Sequence, residues 1–437
     1  MSRKLTLLIF FLLINQFCAQ AQNWLTVGNG LTVGVNSMVA DTANHKIYAS
    51  GYWGSSHRFL QYNDSTGIWS PLGTNTVAGN CFGIIIYRGE IYGSAPSGVY
   101  KLIGANWQCV APSHGVVFNL CVHDTDLYAV GSFDSIAGIQ AFKIARFDGY
   151  TWHNVGNINV NNSIQCAIFY QGELYVAGSF YNSATGRYKI LKWDGNQWDI
   201  LAGTGNYFSG GWDYIDCMTI YNNELYVGGY FTYSQGGNPG NNIAKWNGST
   251  WNAVGGGTDF QVFSMQIFNG DLWVGGQFTS AGGLSTSYVS KWNGTDWCNI
   301  GNFDNSIGCF CIYNSELYAG GGQLTVDGDT VNKVVKWIGG SNTGACGHLS
   351  TGIEEAANNF SVNIFPNPVI TNATFQFTAL GENKTLIIFD QLGKEIWRKE
   401  TDENQIEFST EGIPAGLYFY RVEQEKELNV NGRFIIQ

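Results

Sequence analysis

The chain has 437 residues, with 57 glycines, 15% aromatic residues, 13% charged residues and a formal net charge of −11. So much glycine and so few charged side chains exclude a long-helix protein, and 44% hydrophobic residues exclude intrinsic disorder. The negative balance argues against nucleic acid or an anionic membrane as partner, because that binding depends on Lys and Arg. A large all-β protein of two or three domains is expected.

Residues 1–21 read as a secretory signal peptide. Arg3 and Lys4 form its basic start, Leu5 to Ile14 is nearly all apolar, and Ala19-Gln20-Ala21 supplies small residues, so cleavage is expected between Ala21 and Gln22. This run is too short to span a bilayer and no later one is longer, so no transmembrane segment is expected. Cys18 lacks the Leu-x-small context of a lipid attachment site, and losing it with the signal leaves nine cysteines, an odd number for an exported chain. Cys166, Cys217 and Cys309 each stand eight residues before the Leu of a Leu-Tyr pair, which predicts equivalent strands too far apart to bridge and buried thiols packed as small apolar groups.

From residue 46 onward the chain repeats itself. A polar or acidic residue followed by an aliphatic-aromatic pair recurs at Lys46-Ile47-Tyr48, Glu90-Ile91-Tyr92, Asp126-Leu127-Tyr128, Glu173-Leu174-Tyr175, Glu224-Leu225-Tyr226, Asp271-Leu272-Trp273 and Glu316-Leu317-Tyr318. The spacing of about 45 residues is that of propeller blades. Residues 262–300 predict four strands: Val262 to Phe268, Asp271 to Gly275, Tyr288 to Trp292 and Trp297 to Ile300, with Asn269-Gly270 and Asn293-Gly294 as tight hairpin turns. An aromatic residue, an Asp/Asn-Gly turn and a Trp five positions on recur at Phe147/Trp152, Trp193/Trp198, Trp246/Trp251 and Trp292/Trp297. A Trp that every unit requires is expected to pack between blades rather than to hold a ligand.

In the last repeat Trp337 matches Trp292, yet Asn342 stands where the second Trp would fall. Trp24 to Gly30 matches Trp251 to Gly257, so the missing strand is expected at the N-terminus, closing the ring and hiding a sheet edge. The reading is a seven-bladed β-propeller over residues 22–345. Its repeat pattern resembles the kelch and galactose-oxidase class of propellers.

Beyond the Gly/Ser/Thr-rich stretch 339–352 the composition changes: 5 of the 57 glycines but 20 of the 55 charged residues lie after residue 352. A linker is expected at 346–359 and a small Ig-like β-sandwich at 360–437, with strands at Ser361 to Phe365, Ala373 to Phe377, Thr385 to Phe389, Glu395 to Lys399, Gln405 to Phe408, Gly416 to Arg421 and Arg433 to Ile436. Ile364-Phe365-Pro366-Asn367-Pro368 opens it, Phe389-Asp390-Gln391-Leu392-Gly393-Lys394 follows, then Ile413-Pro414-Ala415-Gly416-Leu417-Tyr418, and Gly432-Arg433-Phe434-Ile435-Ile436 nearly ends it. These four motifs in this order resemble the type A C-terminal sorting domain of Bacteroidetes proteins exported by the type IX secretion system. The resemblance makes Pro366, Asn367, Pro368, Asp390, Gly393, Lys394, Gly416, Tyr418 and Arg433 the residues of a sorting signal. It implies handling by the type IX machinery and its sortase, and release or attachment at the cell surface. A looser resemblance to Bacteroidetes O-glycosylation sites marks Thr42, Ser65, Ser135 and Thr330, each after an Asp.

No His-Glu-x-x-His, Gly-x-Ser-x-Gly, P-loop or Cys-x-x-Cys occurs, and the six His show no ligand spacing, so no cofactor and no metal is expected. Cys309-Phe310-Cys311 puts two thiols on one strand face with no His nearby, and Asp327 with Asp329 supplies too few carboxylates for calcium. Aromatics in predicted loops on one face, Tyr52, Trp53, Tyr181, Tyr207, Phe208 and Trp212, are the candidate ligand-binding residues, suited to stacking on a glycan or a protein. The expected function is a secreted or surface-attached propeller with a non-catalytic binding or adhesion role. The alternative is an extracellular glycan-processing enzyme on the same scaffold.

Overall fold

Each repeat of a polar or acidic residue before an aliphatic-aromatic pair begins the second strand of an antiparallel sheet, four-stranded in five cases and extended to six strands at Glu90 and to five at Asp271. In the computed structural model, residues 23–437 are described apart from 53–58, 157, 159, 180–189, 202–207, 234–240, 340–345, 348–361, 378–382, 391–393 and 425–427. The expected signal peptide with Ala21 and Gln22, together with Trp53, Tyr181, Tyr207 and Gly393, lies outside the described residues. All elements among the described residues are strands, and the chain divides into two units, Met1–Thr351 and Gly352–Gln437.

In the first unit, successive sheets occupy residues 34–71, 84–114, 117–154, 164–200, 208–253, 262–299 and 307–337, here called the first to seventh sheets. The second strands, such as Asp126–Gly131 and Asp271–Gly276, are buried on both faces after their opening acid, which is why alternation gives way to continuous Leu-Tyr-Val-Gly runs. The opening acid pairs across to the third strand: Glu90 with Lys101, Asp126 with Arg146, Glu173 with Lys192, Glu224 with Lys245, Asp271 with Lys291 and Glu316 with Lys336. The first sheet reverses the order, with the Lys46 ammonium donating to the Gln61 side chain. The first strands of neighbouring sheets touch in sequence around the unit, and that of the seventh touches that of the first. A propeller fits this arrangement.

Trp24–Thr26 pairs with Val334–Trp337 in the register Trp24↔Trp337, so the N-terminal strand supplies the outer strand of the seventh sheet. Fourth-strand indoles tie each such sheet to the one before it. Trp69 donates to the Val27 carbonyl, Trp107 to Leu72, Trp198 to Val155, Trp297 to Val254, and Trp24 to Ile300. Trp24 thus reaches the sixth sheet, and Val27 just beyond it accepts from the first.

The turn between third and fourth strands differs from the tight hairpin expected. Trp292 pairs with Trp297, leaving four residues in the loop, and the Asn293 side-chain oxygen accepts the backbone N–H groups of Thr295 and Asp296. Asp148, Asp194 and Asn247 act alike, so the Asp or Asn is chosen for its oxygen, and only the Gly after it takes positive φ. Asn269-Gly270 is the two-residue type, with φ of 50° and 82°.

Cys298 and Cys346 form a disulfide, and the pair Cys346–Gly347 adds to the outer strand of the sixth sheet. Cys166, Cys217 and Cys309 stay unbridged. Burial pushes the Cys311 thiol up to about 12, and Cys309 and Cys311 pack in one apolar cluster with Val35 and Tyr318.

The second unit has a three-stranded sheet of Val362–Phe365, Asn372–Phe377 and Gln405–Ser409, and a four-stranded sheet of Glu395–Thr401, Lys384–Phe389, Gly416–Gln424 and Leu428–Ile436. All seven expected strands are present. Phe375 and Phe408 from the three-stranded sheet and Leu386, Tyr420 and Phe434 from the four-stranded one share one core.

Candidate functional site

The first strand of six sheets carries a β-bulge at the same place. The ladder skips one residue between Val35 and Ser37, Val117 and Asn119, Ile164 and Cys166, Ile215 and Cys217, Val262 and Ser264, and Ile307 and Cys309. The skipped residues are Asn36, Phe118, Gln165, Asp216, Phe263 and Gly308. A bulge needs close approach from the partner strand: a Cβ on Gly131 or Gly276 would stand 2.0 and 2.1 Å from the carbonyls of Val116 and Gln261. The glycine ending each Leu-Tyr-x-x-Gly run is therefore part of the device that re-aims the bulged side chain.

Asn36, Asp216, Phe263 and Gly308 line one cavity of about 300 Å3, together with Gln277 and Ser306. Asp216 is the titratable group lining it. Burial pushes its carboxyl up to about 7, against the hydrogen bond from Gln261 Nε2 at 2.8 Å, which favours the ionised form. Tyr214 donates to Gln261 Oε1 at 3.2 Å, so the amide is held at both ends. Asn36 donates to the Cys81 carbonyl at 3.0 Å, and Gln165 to Ser163 Oγ at 3.1 Å. The cavity thus offers amide, hydroxyl and carboxyl groups beside one aromatic ring. This set was missed from the sequence, although the repeated Val/Ile-x-Ser/Asn/Cys triplet opening each unit marked it.

The aromatic candidates are placed differently. Tyr52 ends the strand Lys46–Tyr52 and pairs with Gly34. Phe208 and Trp212 were expected in an inter-blade loop. Their backbone belongs instead to the strand Phe208–Tyr221, with Phe208↔Tyr233 and Tyr214↔Tyr230 in register, so the insertion lengthens a hairpin. β-branched and aromatic residues on both arms favour the ladder over a loop. Among the modification candidates, Thr42, Ser65 and Thr330 are exposed, while half-buried Ser135 donates to Asp134.

In the second unit, Asn367 between Pro366 and Pro368 accepts the Ile435 N–H, fastening the opening motif to the last strand. Asp390 accepts the Lys394 N–H at 2.9 Å, and Tyr418 donates to the Pro414 carbonyl at 2.7 Å. Asp390, Ile413 to Tyr418 and Ile396 border a cavity of about 510 Å3, while Arg433 is exposed. The first and last motifs are therefore joined by a hydrogen bond, the second and third border one cavity, and the latter two hold their own turns.

Residues 363–437 match the family described as the secretion system C-terminal sorting domain. A search of curated proteins finds no match to the chain. Among solved structures, one described as the extracellular domain of a hybrid two component system from B. thetaiotaomicron is similar at 10% identity with a TM-score of 0.46. That match covers 95% of this chain and 57% of the other, so the chain spans just over half its length. The class of protein is an all-β, repeat-built chain with a sorting tail. More particularly, the tail at residues 363–437 supports export by the type IX secretion machinery of Bacteroidetes, to the cell surface or the medium. No helix among the described residues is long and apolar enough to cross a membrane.

Proposed function

We propose that the first unit is a seven-bladed β-propeller of residues 22–345, exported behind a cleaved signal peptide, with a non-catalytic binding role outside the cell. The Ig-like sandwich of residues 360–437 serves as its address. The observation that carries the binding reading is the cavity where bulged residues converge: Asn36, Asp216, Phe263 and Gln277 combine hydrogen-bonding groups with an aromatic face around one acid. A polar extracellular ligand, a glycan or a protein side chain, is the occupant this chemistry suits. Among the described residues lining this cavity Asp216 is the one carboxylic acid, which favours binding over the glycan-processing alternative.

Glycan- and peptide-array binding by the full mature chain tests this. Asp216→Asn should weaken a captured ligand at least tenfold at pH above 7, where the parent carboxyl is ionised. Turnover of a glycan by the parent, or unchanged capture by the variant, would overturn the reading.

A further inference from the structure

In four sheets the last residue of the first strand is a Tyr that seals the junction to the following sheet, whereas Asp41 and Phe268 hold that position in the first and sixth sheets. Tyr87 donates to the Thr125 carbonyl at 2.7 Å, Tyr170 to Asn223 at 3.0 Å, Tyr221 to Gly270 at 3.0 Å, and Tyr313 to the Asp64 carboxylate at 3.1 Å. Each phenol bridges to a turn of the next sheet and packs edge-on against the aromatic of its own second strand. At the same register position the third sheet has His123, paired with Asp126 as Tyr170 is with Glu173. Imidazole is shorter than phenol, and His123 lies flat on Phe169 of the fourth sheet, ring centroids 3.5 Å apart and 5° from parallel. A cavity of about 380 Å3 opens at this junction, bordered by Gly172 in the turn that a phenol would reach.

The walls have a definite chemistry. Trp193, Tyr128 and Phe169 supply aromatic surface, and Trp193 with its partner Trp198 is half-exposed where Trp246, Trp251, Trp292 and Trp297 are buried. The Arg146 guanidinium reaches the cavity but is neutralised by Asp126 at 2.7 Å. Asp194 is held ionised, its carboxyl lowered by the backbone N–H groups of Gln197 and Asn196 that it accepts, and Asn154 adds an exposed amide. Flat apolar faces stack on the C–H face of a sugar ring, and an ion-paired guanidinium, a carboxylate and an amide at the rim suit its hydroxyls. A neutralised Arg gives no net attraction for an anion. The volume falls at the small end of small-ligand clefts, roughly 300–1,000 Å3.

We propose that the junction between the third and fourth sheets is a binding site for a neutral saccharide ring, created by His123 in place of the sealing Tyr. It is separate from the bulge-lined cavity and does not depend on that reading.

The experiment is titration of the full mature chain with neutral probes, glucose, galactose, mannose, N-acetylglucosamine and cellobiose, followed by tryptophan indole NMR signals with Trp193 assigned through Trp193→Phe. At least one saccharide should move the Trp193 signal saturably. His123→Tyr, which supplies the phenol found at four of the other six junctions, should raise or preserve the melting temperature and weaken that saccharide at least tenfold. Trp193→Ala is the second arm and should weaken it similarly with the other indole signals in place, so the outcome does not hang on one variant folding. Failure of every saccharide to move Trp193, a response to free indole in place of saccharides, or saccharide binding unchanged in both variants would overturn the proposal.

Discussion

Replacing Trp24 tests whether the N-terminal strand holds the first unit together. Its side chain is fully buried, with ring centroids 5.1 Å from Trp337, 5.3 Å from Phe303 and 5.8 Å from Trp273, and Nε1 donates to the Ile300 carbonyl at 2.9 Å. Emptying a site of this kind costs about 3–5 kcal/mol. Trp24→Phe keeps most of the ring but strands the buried Ile300 carbonyl, which costs about 1–3 kcal/mol. In a unit of this size each kcal/mol moves the melting temperature by roughly 2 °C, so Trp24→Ala should melt about 6–10 °C lower and Trp24→Phe about 2–6 °C lower. Deleting residues 23–30 should do more, because it bares the Val334–Trp337 edge and the chain should aggregate on heating. Calorimetry of the three variants beside the parent reads this directly. Parental melting of Trp24→Ala, or a deletion that stays soluble at the parental melting temperature, would refute the closure.

Asp216 should leave a pH signature in stability. Its folded carboxyl is raised to about 7 from an ordinary value of 3.8, so between those values the folded state holds the proton more tightly and stability falls as pH rises. Asp216→Asn should therefore gain stability over the parent at pH 8, with a ceiling on the order of 4 kcal/mol, and lose that gain near pH 4. The neighbouring thiols of Cys166 and Cys217, pushed well above their ordinary value by burial, stay neutral throughout. Equal pH dependence in both proteins by urea denaturation would contradict the shift. Cys346→Ser opens a loop with a sequence separation of 48 and should cost about 4 kcal/mol, read as a lower melting temperature that reducing agent no longer changes. Truncation after Thr351, which keeps the Cys298–Cys346 bridge, should in a type IX-competent host leave a folded first unit in the periplasm, and surface display of that form by protease accessibility would refute the role of the tail.

Much of the architecture was legible because repetition exposes constraints that a single copy hides. The Leu-Tyr pairs marked doubly buried second strands, the Trp after each Asp/Asn-Gly marked fourth strands, and a Trp at residue 24 with none at Asn342 located the missing strand. The sorting motifs were equally readable, and two of their turns are local, as Asp390 is fixed by Lys394 and Tyr418 by Pro414, whereas Asn367 is held by Ile435 of the last strand.

Other features depend on partners remote in sequence, and only the tertiary structure decided them. Asp216 looked like one more polar strand residue until the bulge turned it beside Asn36 and Ser306, which belong to other sheets. The insertion around Phe208 and Trp212 was composed like a loop, yet a second aromatic arm at Tyr230 to Tyr233 let it pair as a ladder. Cys298 and Cys346 became a pair because the chain returns along the outer strand of the sixth sheet. His123 differs by one ring from the Tyr found at its position in four other sheets, and its consequence lies across the junction, at Phe169 and Gly172 of another sheet. Local pattern determines which strands form and in what order, because each strand's periodicity is written in consecutive residues. Which side chains meet in a cavity is set by sheet-to-sheet packing, and those distances are absent from the linear chain.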